Sequence, residues 1–193
     1  MTENIYILDT SLFLDLFKIH PIDIYSQFWA KLNQELDSFI LNGRLILTDF
    51  VRDEVIHTTG KQEDGSDDPA VMWMKERSKY LLNISNDFEI VSKAQKIIEL
   101  FPQSANIDDV PPDADPFLIA YVLLKREQAD LSGNFPNLVI ITHEKRNKNT
   151  NIKKIQSQKP PHPEITKIRS ICDYYDIESM DIFEFFRAEG WKF

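Results

Sequence analysis

Four carboxylates stand where short apolar runs end in this 193-residue chain. Asp9 closes Ile5-Tyr6-Ile7-Leu8. Glu54 lies one or two helical turns beyond Leu45-Ile46-Leu47. Glu144 stands two residues past Leu138-Val139-Ile140-Ile141-Thr142. Asp115, with Asp113 beside it, opens an apolar helical stretch. Like charges drawn within a few ångströms of one another cannot all stay ionised without a cation, so some of their pKa values rise until one binds. Oxygen ligands with no His or Cys among them select Mg²⁺ or Mn²⁺ over Zn²⁺. The four histidines (His20, His57, His143 and His162) show no HExxH spacing. There is no GxSxG, P-loop or GxGxxG, so nucleophilic-serine, NTPase and dinucleotide chemistry find no support.

Each acid also has a plainer reading. Asp9 suits a turn, and Asp115 suits a helix cap with Pro116 behind it. Glu54 suits the wet face of an amphipathic helix, and Glu144 and Asp113 suit polar loops. What favours the joint reading is their common placement after buried strands.

The elements that must position them follow from the apolar pattern. Residues 5–8, 45–47 and 138–142 are short continuous apolar runs, the mark of strands buried on both faces. A last short strand is expected near 177–180. Helices are expected from about Leu12, capped by Thr10 or Ser11, and over 22–42, with Ile24, Phe28, Leu32 and Leu36 at steps of four and Gly43 as the stop. Thr48 or Asp49 caps a helix carrying Val51, Val55 and Ile56. Asp68-Pro69 opens one reaching about Leu82. Further helices cover 87–101 and the stretch from Asp115, which is apolar over most of its circumference. Asp181-x-x-Glu184 reads as a capping box before the closing helix, which Gly190 ends. Residues 57–68 and 102–112 read as polar loops, and Lys159-Pro160-Pro161-His162-Pro163 cannot be regular structure. Strands alternating with helices imply a three-layer α/β/α fold on a short parallel central sheet. Ligands bind such sheets beyond the carboxyl ends of the strands. No repeat or linker divides the chain, so residues 1–193 read as one domain, with 57–112 as a helical elaboration.

Composition sets the outer bounds. The chain is 42% hydrophobic and 27% charged, with one cysteine. That excludes an internal disulfide, and without a CxxC pair nothing points to structural zinc. Cys172 reads as a small buried hydrophobe. No apolar run approaches the roughly 20 residues of a membrane span, and the N-terminus lacks the basic start of a signal peptide. A cytoplasmic protein without membrane contact is expected. The net charge of −9 argues against a polyanionic partner, yet it is unevenly spread. Residues 145–169 hold eight Lys and Arg against Glu164 alone, a net +7, which leaves −16 on the remainder. An acidic cation site beside a basic contact strip fits that asymmetry, and so does a solvated basic loop.

The motifs also carry a resemblance. Ile5-Tyr6-Ile7-Leu8-Asp9-Thr10-Ser11 resembles the opening of the PIN-domain nuclease superfamily, an apolar strand ending in Asp and small hydroxyl residues. Leu47-Thr48, Val51 and Glu54-Val55 are similar to its second motif. Ala114-Asp115-Pro116-Phe117-Leu118-Ile119-Ala120 is similar to its third. Ile140-Ile141-Thr142-His143-Glu144 resembles its fourth, with Glu where Asp is usual. Through its closing Gly190-Trp191-Lys192-Phe193, the chain looks like a longer prokaryotic PIN-like group related to VapC-like toxins.

The resemblance implies a PIN-like fold and a Mg²⁺- or Mn²⁺-dependent endonuclease, acting on RNA more often than DNA, as the toxin of a toxin–antitoxin pair. Asp9, Glu54 and Asp115 would be the central catalytic and metal-binding carboxylates, with Glu144 completing the set. Thr10, Thr142 and Asp113 would support them from behind. Lys145, Arg146, Lys148, Lys153 and Lys154 would contact nucleic acid. An antitoxin protein and a homodimeric partner copy are compatible with the same resemblance. Two other readings stay open: a catalytically weak PIN-like binding module in a regulatory or defence complex, and a metal-dependent phosphatase. The DxDxT signature of one large phosphatase class is absent after the first strand.

Overall fold

Tyr6, Ile7 and Leu8 are almost wholly buried. They belong to β1 (Ile5–Leu8), a central strand of the sheet. The structure is a computed structural model that describes residues 3–60, 62, 65–106, 109–130, 136–148 and 150–193. Residues 61, 63, 64, 107 and 108 of the two expected polar loops lie outside the described residues. β2 (Leu45–Ile46), β3 (Leu138–Ile141) and β4 (Ser179–Met180) complete a sheet of order β2-β1-β3-β4. Every pairing is parallel, with Tyr6 opposite Leu45, Ile5 to Leu8 opposite Leu138 to Ile141, and Ile141 opposite Met180. Helices flank the sheet in the expected three-layer α/β/α arrangement. β1 leads to β2 on one side, and the chain then returns to place β3 on the other. That reversal makes the carboxyl ends of β1 and β3 the switch point of the sheet, the crevice position at which such sheets hold ligands.

α1 (Thr10–Ile19) follows β1 directly and buries Leu12, Phe13, Leu16 and Phe17 along one face. It begins two residues earlier than expected, with Asp9 at the N-cap position, so Thr10 and Ser11 are not caps but first-turn residues. This leaves their hydroxyls available to the site. α2 (Ser26–Leu41) is shorter than the expected 22–42. Ile24, counted in its apolar stripe, precedes the helix and is 71% exposed. α3 (Asp49–Thr59) is capped by Thr48, whose hydroxyl accepts from Val51 N.

α4 (Pro69–Glu76) is capped by Asp68 and stops short of Leu82, giving way to a 3₁₀ turn at Ser78–Tyr80. The next residues run beside β2, because Leu82 N donates to Leu47 O (2.8 Å) and Leu82 O accepts from Asp49 N (3.2 Å). An extended segment that pairs with the sheet cannot also continue a helix. α5 (Phe88–Leu100) starts at the Asp87 cap and packs on α6 (Asp115–Asp130).

Two helices form where none was expected: α7 (Ile152–Gln156) within the basic segment and α8 (Ile168–Tyr174) at its end and beyond. α8 buries Ile168, Ile171 and Cys172, a helical spacing of one turn. α9 (Ile182–Ala188) carries the expected capping box, with both reciprocal bonds formed between Asp181 and Glu184. Gly190, at φ +70°, turns the chain back so that Trp191 lies edge-on against Phe39 and Phe185. Buried side chains from Tyr6 to Phe186 join in one core cluster. Among the described residues no helix is long and apolar enough to cross a membrane.

Candidate metal centre

Asp9 extends the β1–β3 ladder by one residue, its N–H donating to Ile141 O at 3.0 Å. The carboxyl group is thereby fixed at the mouth of the crevice, and Asp9 is only 2% exposed. Its Oδ2 accepts from the Ser11 hydroxyl at 2.5 Å, and Ser11 Oγ lies 3.2 Å from Thr142 Oγ1. The Thr142 side chain also favours the ionised form of Asp9. Hydroxyls from α1 and from the end of β3 therefore orient one carboxylate together.

Asp115 reaches the same place from the first turn of α6, close enough to Asp9 for the charge of Asp9 to raise its pKa. Burial, followed by the charges of Asp9, Glu144 and Glu54, pushes Asp115 well above the ordinary carboxyl range. Asp9 is also raised, mainly by burial, against the opposing pull of Ser11 and Thr142.

Glu54 comes from α3. Its Oε2 accepts from the Thr10 hydroxyl (2.7 Å) and from Ala114 N (3.2 Å). One carboxylate oxygen thus ties α1 to the residue before α6 and helps set where Asp115 begins. Phe50 stacks on Phe117, centroids 3.8 Å apart, and clamps α3 to α6 nearby. Burial raises the Glu54 pKa, and the charges of Asp9 and Asp113 add to the effect. Asp113 itself accepts from Asn106 N at 2.7 Å, so its carboxylate serves the loop while its charge is felt at Glu54.

Glu144 stands at the rim. Its charge reaches Asp9 and Asp115, but both its oxygens are engaged by other groups. Oε1 accepts from Lys167 Nζ at 2.8 Å, and Oε2 accepts from Ile168 N at 3.1 Å. Sequence reasoning passed over Ser11, Lys167 and the Ile168 amide. Ser11 stood inside a quoted motif. Lys167 lies 23 residues from Glu144, and nothing in sequence spacing couples the two.

In the basic strip, Arg146 is bound in a fork by Asp173 at 2.6 and 3.0 Å. Lys145, Lys148, Lys153 and Lys154 are exposed and in no ion pair among the described residues. A cleft of about 1180 Å³ opens between α1, the end of α3 and α4, with Asp15, Phe17 and Trp73 among its walls. None of the four acids lines it. On its wall, Asp15 lies 3.6 Å from the ring of His143, the residue after Thr142.

The donors in the crevice are carboxylate and hydroxyl oxygens, the chemistry a hard divalent cation requires. Among the described residues, no three His, Cys, Asp or Glu side chains converge into a finished cage.

A family model described as "Domain of unknown function (DUF4411)" matches residues 6–193. No curated protein and no solved structure matches the chain.

Proposed function

The chain belongs to the DUF4411 family, and from its acidic crevice we propose that it is a PIN-like, divalent-metal-dependent nuclease that hydrolyses phosphodiester bonds in RNA. The observation that carries this reading is the gathering of buried Asp9 with Asp115 and Glu54 at the switch point of a parallel sheet, with Asp9, Glu144 and Glu54 close enough for their charges to raise the pKa of Asp115. Asp9, Glu54 and Asp115 would hold Mg²⁺ or Mn²⁺, and Glu144 adds a fourth negative charge at the rim. When bound, such an ion supplies an activated water at neutral pH and offsets charge on the reacting phosphate. Ser11 and Thr142 hold the Asp9 carboxylate in one orientation, and Thr10 does the same for Glu54. Ligands oriented in this way bind more tightly than free ones. Lys145, Lys148, Lys153 and Lys154 offer an otherwise acidic protein the positive charge that a polyanion needs.

Incubating the purified protein with Mn²⁺ and single-stranded RNA and DNA oligonucleotides tests the reading. Internal cleavage of RNA that stops with EDTA is expected. Intact oligonucleotides alongside hydrolysis of a small phosphomonoester would instead mean a phosphatase. A second reading, a PIN-like binding module, draws on the absence of a finished cage. It predicts RNA retention without cleavage in the same assay. As a biological role we propose the toxin of a toxin–antitoxin pair, for which expression of the protein alone slows bacterial growth and a cognate partner relieves it. Normal growth with confirmed soluble expression would remove that role and leave the nuclease reading standing.

A further inference from the structure

Glu144 is held differently from the other three acids, and the manner in which it is held points to its neighbour. Both its oxygens already accept bonds, from the Lys167 ammonium and from the Ile168 amide. A cation at either oxygen would have to share it with a hydrogen-bond donor already in place. The surrounding chain reinforces this arrangement through Asn147. Asn147 Oδ1 accepts from Thr166 N (3.2 Å) and Lys167 N (3.1 Å), and its Nδ2 donates to Thr166 Oγ1 (3.0 Å) and to Glu164 O (3.3 Å). Asn147 N donates to Ser170 Oγ at 2.7 Å. The loop after β3 is thus clasped to the start of α8, and Lys167 is fixed both at its backbone and at its tip.

Lys167 remains 46% exposed along its side chain. One of its three N–H donors goes to Glu144, which leaves two for another acceptor. Its charge is close enough to Asp115 for the two to interact. The nearby guanidiniums are committed elsewhere, Arg146 to Asp173 and Arg169 to Glu184. Among the described residues, Lys167 is the cation ion-paired with a member of the acidic set. A phosphodiester approaching four carboxylates is repelled, and a point charge at the rim offsets that repulsion. A lysine already ordered by folding loses little further side-chain freedom when it binds.

We infer that Lys167 is the side chain that receives the substrate's phosphate at the rim of the acidic crevice, and that Glu144 and Asn147 act as its positioning residues. The inference rests on the nuclease reading. Its test is steady-state cleavage of a fluorescein-labelled, mixed-sequence, single-stranded RNA in Mn²⁺, together with the Mn²⁺-induced rise in melting temperature. Lys167→Gln should raise KM and lower kcat/KM by about 10- to 100-fold, the loss of a charged hydrogen bond, and leave the Mn²⁺ melting response unchanged. Lys167→Arg should restore most of the loss. Glu144→Gln should follow Lys167→Gln in KM and also keep the Mn²⁺ response. Wild-type KM and kcat/KM in Lys167→Gln would overturn the inference and leave the nuclease reading intact. Loss of the Mn²⁺ response in Glu144→Gln would make Glu144 a cation ligand and overturn it as well. If the wild-type protein cleaves no RNA, the nuclease reading falls and this inference falls with it.

Discussion

The carboxyl groups of Asp9, at the end of β1, and Asp115, at the start of α6, lie close enough for the charge of Asp9 to raise the pKa of Asp115. Folding draws these groups out of water and toward each other, so Asp115 holds its proton more tightly in the folded chain than in the unfolded one. The contribution of this site to stability is therefore fully present where Asp115 is protonated in both states. It should fall as pH rises from the ordinary aspartate value of 3.8 through the higher folded-state value of Asp115.

This sign yields a first prediction. With EDTA present, this site lowers the melting temperature as pH rises above the ordinary aspartate range, and Asp115→Asn makes that decline shallower. Mn²⁺ should oppose the decline in the wild-type protein by binding the ionised form. An identical pH profile for the wild type and Asp115→Asn would show that Asp115 titrates at its ordinary value in the folded protein.

Asp49 provides a contrast, as a buried acid with a purely structural task. Its carboxylate accepts from Phe50 N (3.1 Å), Ile84 N (3.0 Å) and Ser85 N (3.1 Å), which binds the start of α3 to the segment beside β2. Asp49→Ala orphans these amides at a cost of roughly 1–3 kcal/mol per buried group left unpaired. Urea unfolding should show a loss of about 3 kcal/mol. A change below about 1 kcal/mol would mean that water replaces the carboxylate there.

Ser11 should act through Asp9. Ser11→Ala removes the 2.5 Å bond to Asp9 Oδ2 and the contact with Thr142. RNA cleavage should fall about tenfold, the worth of a hydrogen bond to a charged group, with folding retained by circular dichroism. Full activity in Ser11→Ala would mean that Thr142 alone orients Asp9.

The basic strip divides by partner. Lys148, Lys153 and Lys154 are exposed, whereas Arg146 is occupied by Asp173. Replacing the three lysines with Ser should flatten the slope of log K against log salt for single-stranded RNA by about 2, given roughly 0.7 per phosphate neutralised. Arg146→Ala should alter that slope less and disturb the contact with α8 instead. An unchanged slope in the triple variant would make the strip a solvated surface.

The strands and the acids that follow them were legible in the sequence because a parallel sheet buries both faces. Val139 and Ile140, wholly buried, leave no polar alternation to obscure the strand. Asp9 was legible for the same reason, since it is the first polar residue after such a run. α8 was obscured by the lysines and prolines before it, although Ile168, Ile171 and Cys172 carry its spacing. The Glu144–Lys167 pair and the Asn147 clasp depend on two loops meeting in space, and apolar periodicity does not reach loops. The placement of Thr10 and Ser11 inside α1 turned on a helix starting directly at Asp9, where boundaries are least determined by pattern.

The most direct measurement is the rate of Mn²⁺-dependent cleavage of a labelled single-stranded RNA by the wild-type protein and by Asp9→Asn, each verified as folded by circular dichroism. Asn nearly matches Asp in shape and lacks its charge, so the hydroxyls of Ser11 and Thr142 keep a partner while the crevice loses a central anion. The account predicts internal cleavage by the wild-type protein and a loss of at least about 100-fold in the variant, the scale of removing a group that stabilises reacting charge. Equal rates in the two proteins, or no cleavage by the wild type with Mn²⁺ in excess, would contradict it.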